Sequence, residues 1–258
     1  MSSTSTVRVS VKGSVASVCL DRPESYNAFN KAMRGELSDA LIALEKDPSV
    51  TVVVLHGAGR GFSAGVDLKE GSEKPSEEVL EGEFRPFLEC IWQSQKLYIA
   101  AVHGHAAGIA AALALACDFV VMDETARLTL AFSAIGLIPD GGLVWHLNRA
   151  LGPRLALEAI IEGRQLAAQY CIEHGLANKM VGAGEALSVA TTWAEELAKS
   201  APLAVSAAKR LISAFAHLDL AETFSAEAKA QTKLAGSSDH RRGVDAFLNG
   251  TMPEFRGD

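Results

Sequence analysis

Three short runs constrain the fold of this chain most. Residues 50–55 (VTVVVL), 98–102 (YIAAV) and 119–122 (FVVM) are apolar at nearly every position. A strand without an alternating polar face must be covered on both sides, which is the habit of parallel sheets flanked by helices. The stretches between these runs have helical texture. Residues 30–46 place Met33, Leu37, Leu41 and Leu44 on one face, residues 84–95 look helical, and residues 109–116 form a helix of small residues. Strands alternating with helices imply βαβ units and a mostly parallel sheet. Two further strands, 7–11 and 15–20, precede them around a turn at 12–14, and Arg22-Pro23 ends the second. Residues 56–65 form a Gly-rich loop, the acidic stretch 70–83 reads as an exposed loop or loose helix, and 104–108 as a turn. Beyond Pro139 the texture changes. Apart from a short strand at 180–181, helices are expected at 142–150, 153–162, 166–174, 185–200, 203–217, 220–235 and 240–249. The expectation is an α/β layered core followed by a helical C-terminal part, with no linker between them.

Composition excludes several classes. Apolar residues at 48% and charged residues at 21% sit at globular averages, so the chain is not disordered. With 24 Lys and Arg against 31 Asp and Glu, the net charge of -7 argues against a nucleic-acid surface. Residues 97–117 carry no charge and could in length cross a bilayer. They contain His103, Gly104, His105, Gly108 and many alanines, which suit a strand, a turn and a buried helix better. The four cysteines show no C-x-x-C spacing, so no zinc site is expected. Cys19 and Cys117, in apolar runs, read as buried free thiols that fit a reducing cytoplasm. The first six residues are polar and contain no apolar signal core.

Three segments could carry chemistry. Gly61-Phe62-Ser63-Ala64-Gly65-Val66-Asp67-Leu68 contains G-x-S-x-G, the pattern of a hydrolase nucleophile. That motif needs its serine directly between strand and helix, whereas here a loop intervenes. The alternatives are a structural turn, or a turn whose free N–H, such as that of Val66, faces a ligand oxygen. The second segment is His103-Gly104-His105-Ala106-Ala107-Gly108-Ile109-Ala110-Ala111-Ala112. Here a strand gives way to a helix start whose unpaired N–H groups suit an anionic oxygen, or else small residues merely allow close packing. His103 and His105 are read as satisfied polar groups, not metal ligands. The third is Ile135-Gly136-Leu137-Ile138-Pro139-Asp140-Gly141-Gly142. Asp140 is either an ordinary helix N-cap or a general base in an apolar wall. Desolvation would raise its pKa and the helix start would lower it.

In this order the segments resemble the crotonase (enoyl-CoA hydratase/isomerase) superfamily. Asp21-Arg22-Pro23 with Asn27-Ala28, the Gly61–Leu68 motif, Ala101-Val102-His103-Gly104 with Ala107-Gly108, Cys117-Asp118 and residues 239–248 carry the resemblance. It implies a crotonase-like spiral of ββα units over residues 1–198, holding the coenzyme A and active sites. Residues 199–258 would be a helical trimerisation region that packs across subunits, giving a homotrimer or dimer of trimers. It also implies acyl-CoA thioester substrates, with coenzyme A as part of the substrate and no separate cofactor. An enolate would be held by the backbone N–H groups of Val66 and Ile109. Arg22, Ser25, Ala28, Ala64, Asp67, Leu68, Gly108 and Phe132 would contact the CoA thioester. Phe247 and Phe255 would reach a neighbour's CoA site.

The departures from the hydratase pattern matter as much. Where a hydratase places two glutamates, this chain has Ala112 and Phe132, neither of which transfers a proton. The run Ala131-Phe132-Ser133 with Gly136-Leu137-Ile138-Pro139-Asp140 resembles the branch containing epoxyphenylacetyl-CoA isomerase and Δ3,Δ2-enoyl-CoA isomerases. There this aspartate shuttles the proton. An apolar lining of Phe132, Ile135 and Leu137 is expected around it. Alternatives are an enoyl-CoA hydratase-like activity on the same fold, an aroyl-CoA dehalogenase, with Asp140 as nucleophile but without the family's tryptophan donor at Phe132, a CoA-thioester binder without catalysis, and a Ser63 hydrolase.

Overall fold

The structure, a computed structural model, describes residues 5–71, 74–214 and 219–258. In chain order the strands are β1 (Val7–Lys12), β2 (Val15–Leu20), β3 (Val52–Gly57), β4 (Leu97–Val102), β5 (His105–Ala107), β6 (Phe119–Asp123), β7 (Arg127–Thr129), β8 (Gln165–Ala167) and β9 (Lys179–Val181). The main sheet has the order β1-β2-β3-β4-β6-β9, antiparallel only at the β1–β2 hairpin and parallel elsewhere. The helices are α1 (Lys31–Lys46), α2 (Ser76–Val79), α3 (Arg85–Gln93), α4 (Ile109–Ala116), α5 (Leu143–Ile161), α6 (Ala168–Glu173), α7 (Ala186–Leu197), α8 (Pro202–Ala214), α9 (Leu220–Ala235) and α10 (Ser238–Asn249).

The apolar runs behave as their composition requires. Val53, Leu55, Tyr98, Ala100, Val102, Val120 and Met122 face a core shared with Met33, Leu37 and Leu41 of α1 and Phe87, Leu88 and Ile91 of α3. Val52, Val54, Leu97, Ile99, Ala101 and Val121 point the other way, against Ala186, Ala190 and Ala194 of α7. Every residue of α4 is buried, which explains why its sequence has no polar stripe. The uncharged stretch is thus β4, a turn, β5 and a buried helix. Among the described residues no helix is long and apolar enough to cross a membrane.

Other expectations are refined. Asn30 caps α1 by accepting the Met33 N–H at 2.9 Å. The acidic stretch is helical from Ser76 on, with α2 passing through a π-helical turn (Leu80–Phe84) into α3. The break expected between two helices near Pro153 is real: α5 loses helical geometry at Gly152 (φ 74°, ψ 167°). The expected helix 203–217 is seen as α8, and its residues 215–217 lie outside the described residues. One expectation is corrected. Residues 105–107 are not all turn, and 166–167 are not helix: they belong to β5 and β8, which sandwich β7 in a second sheet of order β5-β7-β8. The C-terminal helices are anchored to the core by Lys209 of α8. Its buried ammonium donates to Ile91 O at 3.1 Å, Lys96 O at 2.9 Å and the Asp118 carboxylate at 2.8 Å.

Candidate active site

The loop after β3 runs alongside β5 as if it were a further strand. Ser63 N–H donates to His105 O at 3.0 Å, and Ala107 N–H donates to Ser63 O at 2.9 Å. The Ser63 side chain is buried; its hydroxyl donates to Asn27 O at 2.7 Å and accepts the Gly65 N–H at 3.2 Å. Ser63 is therefore a turn-former, and the nucleophile reading is set aside. At Gly65, φ is 85°, and a Cβ would stand 2.5 Å from the Ala107 carbonyl oxygen. Only glycine allows this approach. It presses the Gly65-Val66 turn against the Ala107-Gly108 turn that opens α4. Gly108 N–H is committed to Thr129 O at 3.0 Å. Among the described residues, neither the Val66 N–H nor the Ile109 N–H, the first of α4, has an acceptor. Two turns in contact thus each leave one amide donor free, which is how an oxyanion is held. His103 and His105 are satisfied, by Gly59 O and the Thr129 hydroxyl, each at 3.0 Å.

Asp140 lies on the same helix start. A Cβ on Gly141 would stand 2.8 Å from the Ala112 methyl and 3.0 Å from Ile109 Cγ1, so the segment rests directly on the first turn of α4. The N-cap of α5 is Gly142, and no side chain caps that helix. Asp140 is therefore not a cap. Its Oδ1 is buried without a hydrogen-bond partner among the described residues. Burial pushes the carboxyl up to about 6, opposed only by a backbone hydrogen bond. Aromatic rings border the site: Phe132 Cζ lies 3.7 Å from the Cβ position of Gly108, and Trp92 Cζ2 lies 3.5 Å from that of Gly142. Phe132 is buried, but Ile135 and Leu137 are 55% and 56% exposed in the single chain. Of the expected three-residue apolar lining, Phe132 is the one seen against the α4 start; Ile135 and Leu137 lie in and just after a 3₁₀ turn (Ser133–Ile135). Trp92 was not anticipated; nothing local to α3 signals that it meets Gly142.

The residues expected at the CoA end form one cluster. Arg22 Nη1 donates to Ala28 O at 2.6 Å and to the Asp67 carboxylate at 3.0 Å, and Nη2 donates to the Ser25 hydroxyl at 3.4 Å. Burial raises the Asp67 pKa, but Arg22 and the Lys69 and Glu70 amides outweigh it and hold the carboxyl below its ordinary value. Arg22 is thus neutralised within the chain and braces the loops. Behind it, the buried Asn27 carboxamide donates to Ala58 O, Gly61 O and Phe62 O at 2.8, 3.0 and 3.2 Å. That gives the Asn27-Ala28 pair a bracing role. Ala64 and Leu68 are exposed beside this cluster. Phe247 and Phe255 are not gathered with it. They line a separate cleft of about 380 Å³ among the C-terminal helices. Among the described residues, no cluster of His, Cys, Asp and Glu could hold a metal ion.

With this geometry in place, comparisons with known proteins are specific. The family model for enoyl-CoA hydratase/isomerase matches residues 10–258. The 1,2-epoxyphenylacetyl-CoA isomerase of Escherichia coli (strain K12) is 33% identical, covering 96% of this chain and 97% of that protein. The carnitinyl-CoA dehydratase of Proteus mirabilis (strain HI4320) is 33% identical, covering 97% and 98%. The crystal structure of an enoyl-CoA hydratase from Polaromonas sp. JS666 superposes with a TM-score of 0.91 at 33% identity, covering 96% of this chain and 99% of that one.

Proposed function

The chain belongs to the enoyl-CoA hydratase/isomerase family, and from that premise we propose that it shifts a double bond in an acyl-CoA, converting a 3-enoyl thioester to its 2-enoyl isomer. One observation carries this reading. Asp140 Oδ1 is buried and unpartnered beside the α4 start, while Ala112 and Phe132 occupy the positions that the resemblance assigns to a hydratase's glutamates. A single carboxylate suits a reaction in which one proton leaves and returns. Asp140 takes a proton from C2. The thioester oxygen becomes a dienolate oxyanion, held by the N–H groups of Val66 and Ile109. Protonated Asp140 then returns the proton to C4, and no water is consumed. Its raised pKa, about 6, suits both halves of the exchange. Each amide donor would supply roughly 3 to 4 kcal/mol of barrier lowering if it behaves like other oxyanion donors.

The Arg22, Ser25, Ala28 and Asp67 cluster, with Ala64 and Leu68, would flank the coenzyme A. Gly108 and Phe132 would border the thioester. The exposed Phe247, with the half-buried Phe255 in the same cleft, supports a homotrimer or dimer of trimers in which residues 199–258 pack across subunits toward a neighbour's site. Coenzyme A enters as part of the substrate. Hydration is the second reading, motivated by the relatives named dehydratase and hydratase. It needs a group to activate water, which the Ala112 methyl and the Phe132 ring do not supply. The test is to add protein to a 3-enoyl-CoA and follow the ultraviolet absorbance of the conjugated product, with crotonyl-CoA hydration run in parallel. Absorbance rising with wild type but not with Asp140→Asn supports isomerisation; hydration of crotonyl-CoA without isomerisation overturns it.

A further inference from the structure

Behind the Val66 donor lies a buried cation that the isomerase reading does not use. Val66 pairs with Phe29 in an isolated bridge, in which Phe29 N–H donates to Gly65 O at 2.7 Å and Phe29 O accepts the Asp67 N–H at 3.2 Å. The peptides on both sides of Val66 are thus tied to one residue. Phe29 O has a second donor, the Arg34 guanidinium, at 2.9 Å. Arg34, on α1, is only 6% exposed. Its fork is filled: Nε and Nη2 meet the Glu83 carboxylate at 2.9 and 2.8 Å, Nη1 meets Glu70 at 3.3 Å, and the Phe84 ring lies 5.3 Å from the guanidinium carbon. Glu70 in turn accepts the first amide of α1, Lys31 N–H, at 2.9 Å. Stability alone does not demand such a cluster, since well-packed apolar residues often replace a buried ion group at no loss. Its place, one carbonyl behind an oxyanion donor, suggests what it is kept for.

We propose that Arg34 is a positioning residue for the oxyanion site, fixing the Phe29–Val66 bridge through Phe29 O while Glu70 and Glu83 hold its guanidinium in register. The inference rests on the reading of Val66 as an enolate donor, though not on which proton transfer follows. Lysine carries the charge but not the planar fork, and methionine carries neither.

The test uses acetoacetyl-CoA, whose enolate absorbs in the ultraviolet and so reports oxyanion stabilisation without turnover. Arg34→Met is expected to bind the thioester within a few-fold of wild type, yet to lose the enolate signal and isomerase kcat by between about tenfold and a hundredfold, the scale of small misplacements at a reacting centre. Arg34→Lys should recover only part of it. If Arg34→Met does not fold, Arg34→Lys and Glu83→Gln carry the test, each expected to lower the enolate signal. Folded variants with the wild-type enolate signal overturn the proposal. No enolate on wild type overturns it together with the donor reading beneath it. An enolate on wild type without turnover of any 3-enoyl-CoA, lost in Arg34→Met, supports Arg34 and sinks only the isomerase reading.

Discussion

The two halves of the site are built on opposite plans. The proposed oxyanion half is main chain: Val66 and Ile109 offer free amides, and their placement is over-determined by the Gly65–Ala107 approach, the Phe29 bridge and the strand-like bonds of Ser63. The proposed acid–base half is one side chain, Asp140, half-buried with an unpartnered oxygen. Side chains at Val66 and Ile109 can vary without losing the donors, whereas the chemistry turns on which carboxylates face the helix start. A family can therefore keep one half and diversify through the other.

The sharpest way to break this contrast is Asp140→Asn. It should lower isomerase turnover by about 10²–10⁴-fold, the usual worth of a positioned acid–base group, and leave thioester affinity nearly unchanged. Gly65→Ala attacks the other half. Its methyl would sit 2.5 Å from Ala107 O at a φ of 85°. The turn must shift, and loss of one donor predicts a fall in kcat of about 10²–10³-fold. Unlike Asp140→Asn, it should also abolish the acetoacetyl-CoA enolate signal.

The pH response separates the halves again. Asp140 acts as base only when ionised, so kcat/KM should fall about tenfold per unit below a pH of about 6 and level off above it. Stability runs the other way. Burial raises the folded-state pKa of Asp140 above its unfolded value, so the protonated form stabilises the fold at low pH, and that contribution is lost as pH rises through about 6. Asp140→Asn should therefore be more stable than wild type at pH 8, by about 1–2 kcal/mol after allowing for partial exposure, with no gain at pH 4. Thermal melts at the two pH values check the sign. The smallest effect is expected from Ser63→Ala. Losing its bond to Asn27 O should lower stability by about 1 kcal/mol and turnover by only a few-fold. Complete inactivation would contradict its role as a turn-former.

What could be read before folding follows from locality. Residues 50–55, 98–102 and 119–122 announce a doubly covered sheet because burial on both faces leaves no polar position to spare. The break in α5 could be placed because Pro153 restricts the residue before it. The three-residue strands β5, β7 and β8 could not, since so short a segment has no periodicity of its own and becomes a strand only when a partner arrives.

The site divides in the same way. Sequence by itself determined that tight turns stand at Gly65 and Gly108 before an uncharged helix, because these are local requirements of close packing, and it nominated Asp140 while leaving the turns' chemical role open. Only the tertiary structure decided that Asp140 is not a helix cap, that Trp92 meets its loop and that Arg34 stands behind Val66. Those outcomes depend on burial and on partners distant in the chain: the same carboxylate has a pKa pushed up or down according to what the fold packs around it.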